Sequence, residues 1–295
     1  TANTWAVNGP DSGTINTTLS FSNFTNLVGG TNTDDFTITG SATSISGGNG
    51  VDTFNLSGGS VTTLNGGAGG DTFTLTSGSA TTVNGDGGAD IFTVNGATVG
   101  TLNGGGAGDT CNLTSCTVST SVNGDGGNDE FNLGSASVAA IDGRGNTDTI
   151  NGAIGNDTFQ VSGAETGTVT QTNGLATTTG FQDIENLAGG LGNDTFAFND
   201  GVTTAAITID GGGPGDIDTL DFSAYTVDPD VNLSIVGAGI ESVQGSAIVD
   251  STLTATNIAN TWVVNGANSG SINGATSFSN FTNLVGGSST DDFTI

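Results

Sequence analysis

Large apolar residues recur along the chain in pairs two positions apart, and each pair follows a glycine-rich segment. A polar residue separates the two members of a pair, which is the period of a strand with one buried face. We therefore predict a short strand at each pair, with its apolar side turned inward. The pairs are Phe54 with Leu56, Phe73 with Leu75, Phe92 with Val94, Cys111 with Leu113 and Phe131 with Leu133, and Ile150 continues the series.

A second short strand is predicted before each glycine-rich segment. These strands end at Leu64, Val83, Leu102, Val122 and Ile141. An Asn-Gly or Asp-Gly step follows each of them, which is typical of a turn. If successive copies lie side by side, Asn65, Asn84, Asn103 and Asn123 form a ladder of side-chain amides, as in stacked β-structures.

The spacing of one aspartate sets the length of the repeat. Successive copies are 19, 19, 19, 20 and 19 residues apart at Asp52, Asp71, Asp90, Asp109, Asp129 and Asp148. Two short strands and two turns per repeat of this length are typical of a solenoid coil. We predict an all-β fold, a parallel β-roll or β-helix with coils of about 19 residues. Coils about 4.8 Å apart would stack Phe54, Phe73 and Phe92 in one column.

A longer repeat encloses the short one. The segment Asn3-Thr4-Trp5 returns at Asn260-Thr261-Trp262, and Asp34-Asp35-Phe36-Thr37-Ile38 returns at Asp291-Asp292-Phe293-Thr294-Ile295. Both pairs are offset by 257 residues. We predict one unit over 1–257, with regular coils over about 29–150 and less regular ones over 151–256. Residues 258–295 would begin the next unit and match 1–38.

The less regular stretch departs from the 19-residue period. Asp157 and Asp194 are 37 residues apart, which we interpret as roughly two coils. Residues 220–256 lack a clear turn marker, and we expect coils there with Phe222, Tyr225 and Val231 turned inward. No helical periodicity is evident, and the abundant glycine disfavours helix.

Composition restricts the partners. The chain has 295 residues, a formal net charge of −28, one Lys or Arg and no His, and only 33 % of its residues are apolar. Nucleic acid and anionic membranes are disfavoured, because both require basic residues. No apolar run reaches the length of a membrane span. Nucleophile–base pairs are lacking and every Asp is interpreted as part of a repeated structural position, so we predict no enzyme activity. Cations are the partners that this charge favours.

The turns resemble a known calcium-binding repeat. Residues 47–55, 66–74 and 189–197 each fit the pattern G-G-x-G-x-D-x-U-x, in which U is large and apolar. This pattern is similar to the RTX nonapeptide of secreted bacterial proteins. The resemblance implies that Ca²⁺ lies between equivalent turns, bound by backbone carbonyls and Asp carboxylates. The carboxylates would be those of Asp34, Asp52, Asp71, Asp90, Asp109, Asp129, Asp148, Asp157, Asp194, Asp218 and Asp291, and the carbonyls those of Gly47, Asn49, Gly66, Ala68, Gly189 and Leu191.

Several turns depart from the RTX pattern. Asp86 and Asp125 replace the second glycine, Ala107 replaces a later one, and the only Arg, Arg144, lies within a turn. The Arg144 turn would be a weak site, or its cation position would be filled by the guanidinium. Only one turn per coil matches, so calcium would form one row rather than two. The alternative is that the aspartates form hydrogen bonds that cap turns and hold no ion.

Two further features have alternative interpretations. Cys111 occupies the Phe column and Cys116 lies five positions later, so the pair is either a disulfide or two unrelated thiols. Trp5 and Trp262 are expected to fill the same column rather than to stack on a ligand.

The wider family resemblance bears on function. Phrases such as 179–187 and 218–225 resemble those of giant RTX-like proteins of bacterial surfaces. The resemblance implies a secreted, calcium-stabilised structural filament or cell-surface fibre, whose partners are copies of itself and a cell surface or matrix. One alternative is the stalk or ligand-binding region of an adhesin. A second is an ice-binding solenoid, although the outward turn positions do not form a uniform Thr row.

Overall fold

The computed structural model describes residues 1–172, 177–202 and 207–295. It is 61% strand and 1% helix and forms a parallel β-solenoid of about 11 turns, with coils of about 19–20 residues, which confirms the predicted fold class. The chain divides into two compact units, one of Thr1–Ile150 with Thr177–Ile184 and one of Asn151–Ala176 with Glu185–Ile295. Residues 173–176 and 203–206 of the less regular stretch lie outside the described residues.

The first unit consists of short strands that recur once or twice per coil. Their bounds are β1 Asn3–Gly9, β2 Ser12–Ile15, β3 Leu19–Ser22, β4 Asn26–Gly30, β5 Asp34–Ile38, β6 Ser41–Asn49, β7 Thr53–Ala68, β8 Thr72–Gly87, β9 Ile91–Asn95, β10 Thr98–Gly106, β11 Thr110–Thr114, β12 Thr117–Gly126, β13 Glu130–Leu133, β14 Ser137–Val138, β15 Ala140–Asp142, β16 Thr149–Asn151 and β19 Thr177–Gln182.

An aromatic column runs through the first unit. The rings of Phe54 and Phe73 are stacked with centroids 4.6 Å apart, and those of Phe73 and Phe92 are 4.9 Å apart. Phe36 and Trp5 extend the column at 5.1 and 5.5 Å. The predicted stack is confirmed. Trp5 pairs with Phe36 across neighbouring strands, so it occupies the column as expected.

Three further apolar columns complete the core. Two were predicted, one containing Leu56 and Leu75 and one containing Leu64 and Val83, and all four side chains are fully buried. The remaining column begins each second strand, and the sequence reading missed it because Ala and Val alternate there among Ser and Thr. Its members are Ala42, Val61, Ala80, Val99, Val118 and Val138, all buried.

The asparagine ladder is present beside these columns. The side-chain amide nitrogen of Asn84 donates to Oδ1 of Asn65 at 2.7 Å, and Asn103 donates to Asn84 at the same distance. Asn123 donates to Asn103 at 2.6 Å. The ladder holds successive coils in register, because each amide can reach only its equivalent one coil away.

The second unit is built from shorter strands. They are β17 Thr158–Gly163, β18 Thr166–Gln171, β20 Asn186–Gly190, β21 Thr195–Phe198, β22 Thr208–Gly212, β23 Thr219–Asp221, β24 Asp230–Asn232, β25 Ser242–Gln244, β26 Thr252–Thr254, β27 Thr261–Gly266, β28 Ser269–Ile272, β29 Thr276–Ser279, β30 Asn283–Val285 and β31 Asp292–Thr294. One 3-10 turn, Leu233–Ile235, is the helical element found in the described ranges. The predicted inward residues Phe222, Tyr225 and Val231 are buried.

The interpretation of the 37-residue interval as two coils is wrong. Phe159 pairs directly with Phe196, so Asp157 and Asp194 belong to neighbouring coils. The additional length includes an antiparallel hairpin, in which β17 pairs with β18. The hairpin escaped detection because it continues the same alternation of apolar and polar residues that marks a coil.

Antiparallel strands also occur at the two equivalent ends of the 257-residue repeat. β1, β2 and β3 form a three-stranded meander, and β27, β28 and β29 form another. Trp262 pairs with Phe293 as Trp5 pairs with Phe36, so each tryptophan stacks on the phenylalanine of the neighbouring strand in its own unit.

The aromatic column predicts a large difference between two adjacent residues. Phe92 is fully buried, whereas Ile91 is 47% exposed on the opposite side of the strand. Phe92→Ala should lower the free energy of unfolding by about 3–5 kcal/mol, because it removes buried apolar surface and leaves a cavity. Ile91→Ala should change it by about 0.5 kcal/mol or less. Urea denaturation followed by circular dichroism measures both, and equal losses would contradict the buried column.

Candidate functional site

The predicted aspartates form a buried column at the glycine-rich turns of each unit. Ten of the eleven have at most 3% of their surface exposed. This is unusual for a carboxylate, which is almost never fully buried without a partner. The ten are Asp34, Asp52, Asp71, Asp90, Asp109, Asp129, Asp148, Asp157, Asp194 and Asp218. The eleventh, Asp291, lies in the last coil and is partly exposed.

Eight of the carboxylates use one oxygen to bind the aspartate of the neighbouring coil. The backbone N–H of Asp52 donates to Oδ1 of Asp71 at 2.7 Å, and that of Asp71 donates to Oδ1 of Asp90 at 2.6 Å. The same bond recurs at 2.6–2.8 Å through Asp34, Asp90, Asp109 and Asp129 as donors in the first unit, and Asp157 and Asp194 in the second. These eight aspartates are therefore rungs of a ladder between coils, whereas Asp157 caps its own turn, because the Ala153 N–H donates to its Oδ2 at 2.6 Å.

The second carboxylate oxygen is buried and has no hydrogen-bond partner. A buried acceptor left unpaired costs on the order of 1–3 kcal/mol, and more when it is charged. This condition holds for Oδ2 of Asp34, Asp52, Asp71, Asp90, Asp109, Asp129, Asp194 and Asp218. A whole column of such oxygens requires a compensating group or a proton.

The first glycine of each turn packs tightly against that oxygen. A methyl group added to Gly66 would lie 2.2 Å from Oδ2 of Asp71 and 2.7 Å from the carbonyl oxygen of Gly85 in the next coil. At Gly85 the corresponding distances are 2.2 Å to Asp90 Oδ2 and 2.4 Å to the Gly104 carbonyl. An unpartnered carboxylate oxygen and a carbonyl oxygen of the next coil thus lie close to the same glycine in successive coils. Hard oxygen donors of this kind suit Ca²⁺.

The predicted carbonyl ligands divide into two groups. The Gly47 carbonyl lies 2.6 Å from the Cβ position of Gly29, beside Asp34 Oδ2, and the Gly189 carbonyl occupies the equivalent place beside Gly152. In contrast, the Ala68 and Leu191 carbonyls accept hydrogen bonds from the N–H groups of Gly50 and Gly155, both at 2.7 Å.

Four of the six predicted carbonyls thus have a described environment, and two of them adjoin the column. Gly66 begins its own turn as Gly47 does, and Asn49 pairs in register with Ala68. The position-three carbonyls Ala68 and Leu191 are committed to the backbone ladder, which pattern matching alone does not reveal.

Other residue types continue the aspartate column. The N–H groups of Asn3 and Asn260 donate to Oδ1 of Asp34 and Asp291 at 2.7 and 3.1 Å. Glu241 follows Asp218 in the column, and its Oε2 accepts from the Asp218 N–H at 3.0 Å. The sequence signal was present, because each precedes a large apolar residue by two positions.

Arg144 does not occupy the buried column. Its guanidinium contacts Asp125 in the neighbouring coil, and its Nε donates to Asp142 at 3.4 Å. Its side chain remains 47% exposed. The prediction that it fills the cation position of its own turn is therefore wrong, since its partners lie on the outer side of the turn.

Burial shifts the acidity of the column. Loss of hydration raises the pKa of Asp71, Asp109 and Asp194 to about 7 and that of Asp90 to about 6, although the ladder N–H groups oppose the shift. Neighbouring carboxylates raise the pKa further. The folded chain therefore disfavours the ionised form of these groups when no cation is bound.

The remaining chemistry of the described residues is sparse. Across residues 1–172, 177–202 and 207–295, no cluster of three or more His, Cys, Asp or Glu side chains could hold a metal ion by itself. Any cation here would need backbone carbonyls. Cys111 and Cys116 are both buried free thiols, so the disulfide interpretation is wrong, and burial raises the pKa of Cys116 to about 11. None of the described helical segments has the length and apolarity to cross a membrane.

Comparison with known proteins adds no assignment. No family model, curated protein or solved structure matches this chain.

The tight packing at the first glycine predicts different effects for two Gly→Ala substitutions. Gly66→Ala should lower the free energy of unfolding by about 1–3 kcal/mol, because the methyl group meets Asp71 Oδ2 and the Gly85 carbonyl. Gly180→Ala should change it by about 0.5 kcal/mol or less, since nothing lies within 4 Å of its Cβ position. Thermal denaturation compares the two variants. A Gly66→Ala protein as stable as Gly180→Ala would show that the turn is looser than described.

The raised pKa values predict an inverted pH dependence in EDTA. A carboxyl whose folded pKa exceeds its unfolded value contributes stability below the unfolded pKa and loses it as pH rises through the folded pKa. For Asp90, Asp71, Asp109 and Asp194 that loss begins above the usual value of 3.8 and is complete at about pH 6–7. The melting temperature should therefore fall between pH 5 and pH 8. Thermal scans in EDTA measure it, and a constant or rising melting temperature would contradict the burial of ionisable carboxyls.

Proposed function

We propose that the chain is a structural segment of a secreted filament or cell-surface fibre, stabilised by a single row of Ca²⁺ along the aspartate column. The observation that carries the proposal is the series of eight buried Oδ2 atoms without hydrogen-bond partners. One such atom recurs in nearly every coil of the column, as a repeated ligand position would.

The residues that would hold the ions are the column aspartates and the first glycine of the following turn. Asp71 Oδ2 and the Gly85 carbonyl both lie close to Gly66, and Asp90 Oδ2 and the Gly104 carbonyl both lie close to Gly85, so each pair could supply two oxygens to one ion. Bound calcium supplies positive charge and accepts further oxygen ligands in a flexible geometry. The chain's part is to bury these oxygens, orient Oδ1 toward the ladder and leave Oδ2 available.

Electrostatics support a cation over bare carboxylates. Two unit charges about one coil spacing apart repel by about 3 kcal/mol at an effective dielectric near 20. Repeated along the column, that repulsion approaches the typical stability of a domain, about 5–15 kcal/mol. Protonation relieves it in acid, whereas a divalent cation relieves it at neutral pH. Extracellular fluids are the setting in which calcium is abundant enough for weak sites of this class.

The structural role rests on the repeat. A solenoid coil contacts only its neighbours, so tandem copies of one unit extend the same core without a new interface design. The 257-residue period in the sequence is what such an array requires. The ice-binding alternative is disfavoured, because Ile91 and Glu130 interrupt the outward row of Thr53, Thr72 and Thr110.

The test is the response of two Asp→Asn variants to calcium. Asp71→Asn keeps an oxygen that can accept the Asp52 N–H but removes the buried charge. In EDTA it should melt higher than the wild type, whereas in millimolar calcium the wild type should gain several degrees more than the variant does. Asp250→Asn is the matched control, because Asp250 is exposed and outside the column.

Magnesium in place of calcium separates specific binding from charge screening. A wild-type melting temperature that ignores both EDTA and calcium would overturn the proposed ions. Equal stabilisation of Asp71→Asn and wild type by calcium would show that ions act elsewhere on the acidic surface.

A further inference from the structure

The two copies of one segment in this chain differ sharply in exposure. The sequence Phe-Ser-Asn-Phe-Thr-Asn-Leu-Val occurs at 21–28 and again at 278–285. In the second copy Phe281 is 1% exposed, whereas its equivalent Phe24 is 58% exposed. The neighbouring pair behaves alike, since Phe278 is buried and Phe21 is only half-buried.

Local folding does not explain the difference. The Phe24 N–H donates to the Asp11 carbonyl at 3.1 Å, and the Phe281 N–H donates to the equivalent Asn268 carbonyl at 3.2 Å. Phe21 and Trp5 pack edge-to-face with ring centroids 6.0 Å apart, and Phe278 and Trp262 do the same at 5.7 Å. Both copies therefore form the same meander.

What differs is a covering segment. In the second copy β29 pairs in parallel with β25, in the register Ser242 with Ser277, Val243 with Phe278 and Gln244 with Ser279. Beyond β29, β30 pairs with β26 of the same segment. In the first copy β3 is paired with β2, and its other edge has no strand beside it in the described chain.

Hydrogen bonds fix the covering segment at specific atoms. The Ser277 N–H donates to the Glu241 carbonyl at 2.7 Å, and the Asn283 N–H donates to the Ser251 carbonyl at 3.0 Å. The Thr276 hydroxyl donates to the Ile240 carbonyl at 3.0 Å. Two of these three hydrogen-bond donors are identical in the first copy, where Ser20 corresponds to Ser277 and Asn26 to Asn283. The third donor, Thr276, is replaced by Leu19.

We infer that the edge of β3 together with Phe24 and Asn26 is a docking face for a second copy of this unit, presenting its segment Ile240–Ala255. This inference rests on the tandem role proposed above and specifies the joint between units. Backbone pairing would add one strand to the open edge, and the apolar side of the segment would cover Phe24. An unpaired strand edge beside an exposed Phe is otherwise an aggregation hazard.

Hydrogen exchange tests the inference on two proteins. The first is the chain Thr1–Ile295, and the second has a copy of residues 1–257 joined in front of it. In the first protein, peptides covering 19–26 should exchange at least about tenfold faster than those covering 276–283, because the Ser20 and Asn26 amides lack the partners of Ser277 and Asn283. In the second protein half of the 19–26 population should become as slow as 276–283, which gives a bimodal isotope envelope.

A uniformly fast 19–26 population in the longer protein would overturn the inference, as would equal protection of both segments in Thr1–Ile295. A matched pair of substitutions in Thr1–Ile295 gives a second reading that does not depend on folding of the longer protein. Phe281→Ser should lower the melting temperature by several degrees, whereas Phe24→Ser should leave it nearly unchanged. Equal losses would show that the Phe24 face is already used within one chain.

The same samples separate this inference from the calcium proposal. Exchange is measured in calcium and in EDTA. If calcium raises the melting temperature but residues 19–26 exchange uniformly fast in the longer protein, the docking face is wrong and the calcium proposal stands. If half of the 19–26 population exchanges slowly in the longer protein but calcium does not change the melting temperature, the docking face stands and the calcium proposal is wrong.

Discussion

The structure depends on burying one carboxylate per coil in a place where only half of it is satisfied. Oδ1 of eight column aspartates accepts the backbone N–H of the aspartate in the preceding coil, at 2.6–2.8 Å. That bond fixes the register of the coils and requires the acid to lie inside the turn. The same placement leaves Oδ2 buried without a partner, and the first glycine keeps the adjoining space free of side-chain atoms.

The apolar columns and the aspartate column serve different purposes. Stacked rings such as Phe54 and Phe73 remove apolar surface from water whatever the solution contains. Under the proposed calcium binding, the carboxylates would make the stability of the fold depend on cations, because buried ionised carboxylates are costly without accompanying positive charge. A chain built this way would stay weakly structured where cations are scarce and become stable where they are abundant. The net charge of −28 acts in the same direction.

The periodic part of this architecture was predictable, and the departures from it were not. The 19-residue spacing, the Phe column and the ladder of Asn65, Asn84 and Asn103 follow from side chains that must meet their own equivalents. The hairpin of β17 and β18 was not predictable, because alternation is the same in parallel and antiparallel strands. The engaged carbonyls of Ala68 and Leu191 were also missed, since backbone hydrogen bonds leave no trace in the sequence. Glu241 has the same spacing to Val243 that each column aspartate has to its apolar residue, but it is a Glu at a position where the repeat otherwise carries Asp.

The central claim is that the unpartnered oxygens of the column are cation ligands, and the number of ions bound tests it most directly. Equilibrium dialysis against radioactive calcium at neutral pH, after exhaustive removal of metal, gives that number per chain. We expect close to one bound ion for each column aspartate with an unpartnered Oδ2, with an affinity well above that of non-specific binding to an acidic surface. Binding of no more than one or two ions per chain would contradict it, and the column would then be a hydrogen-bonded ladder that is held protonated.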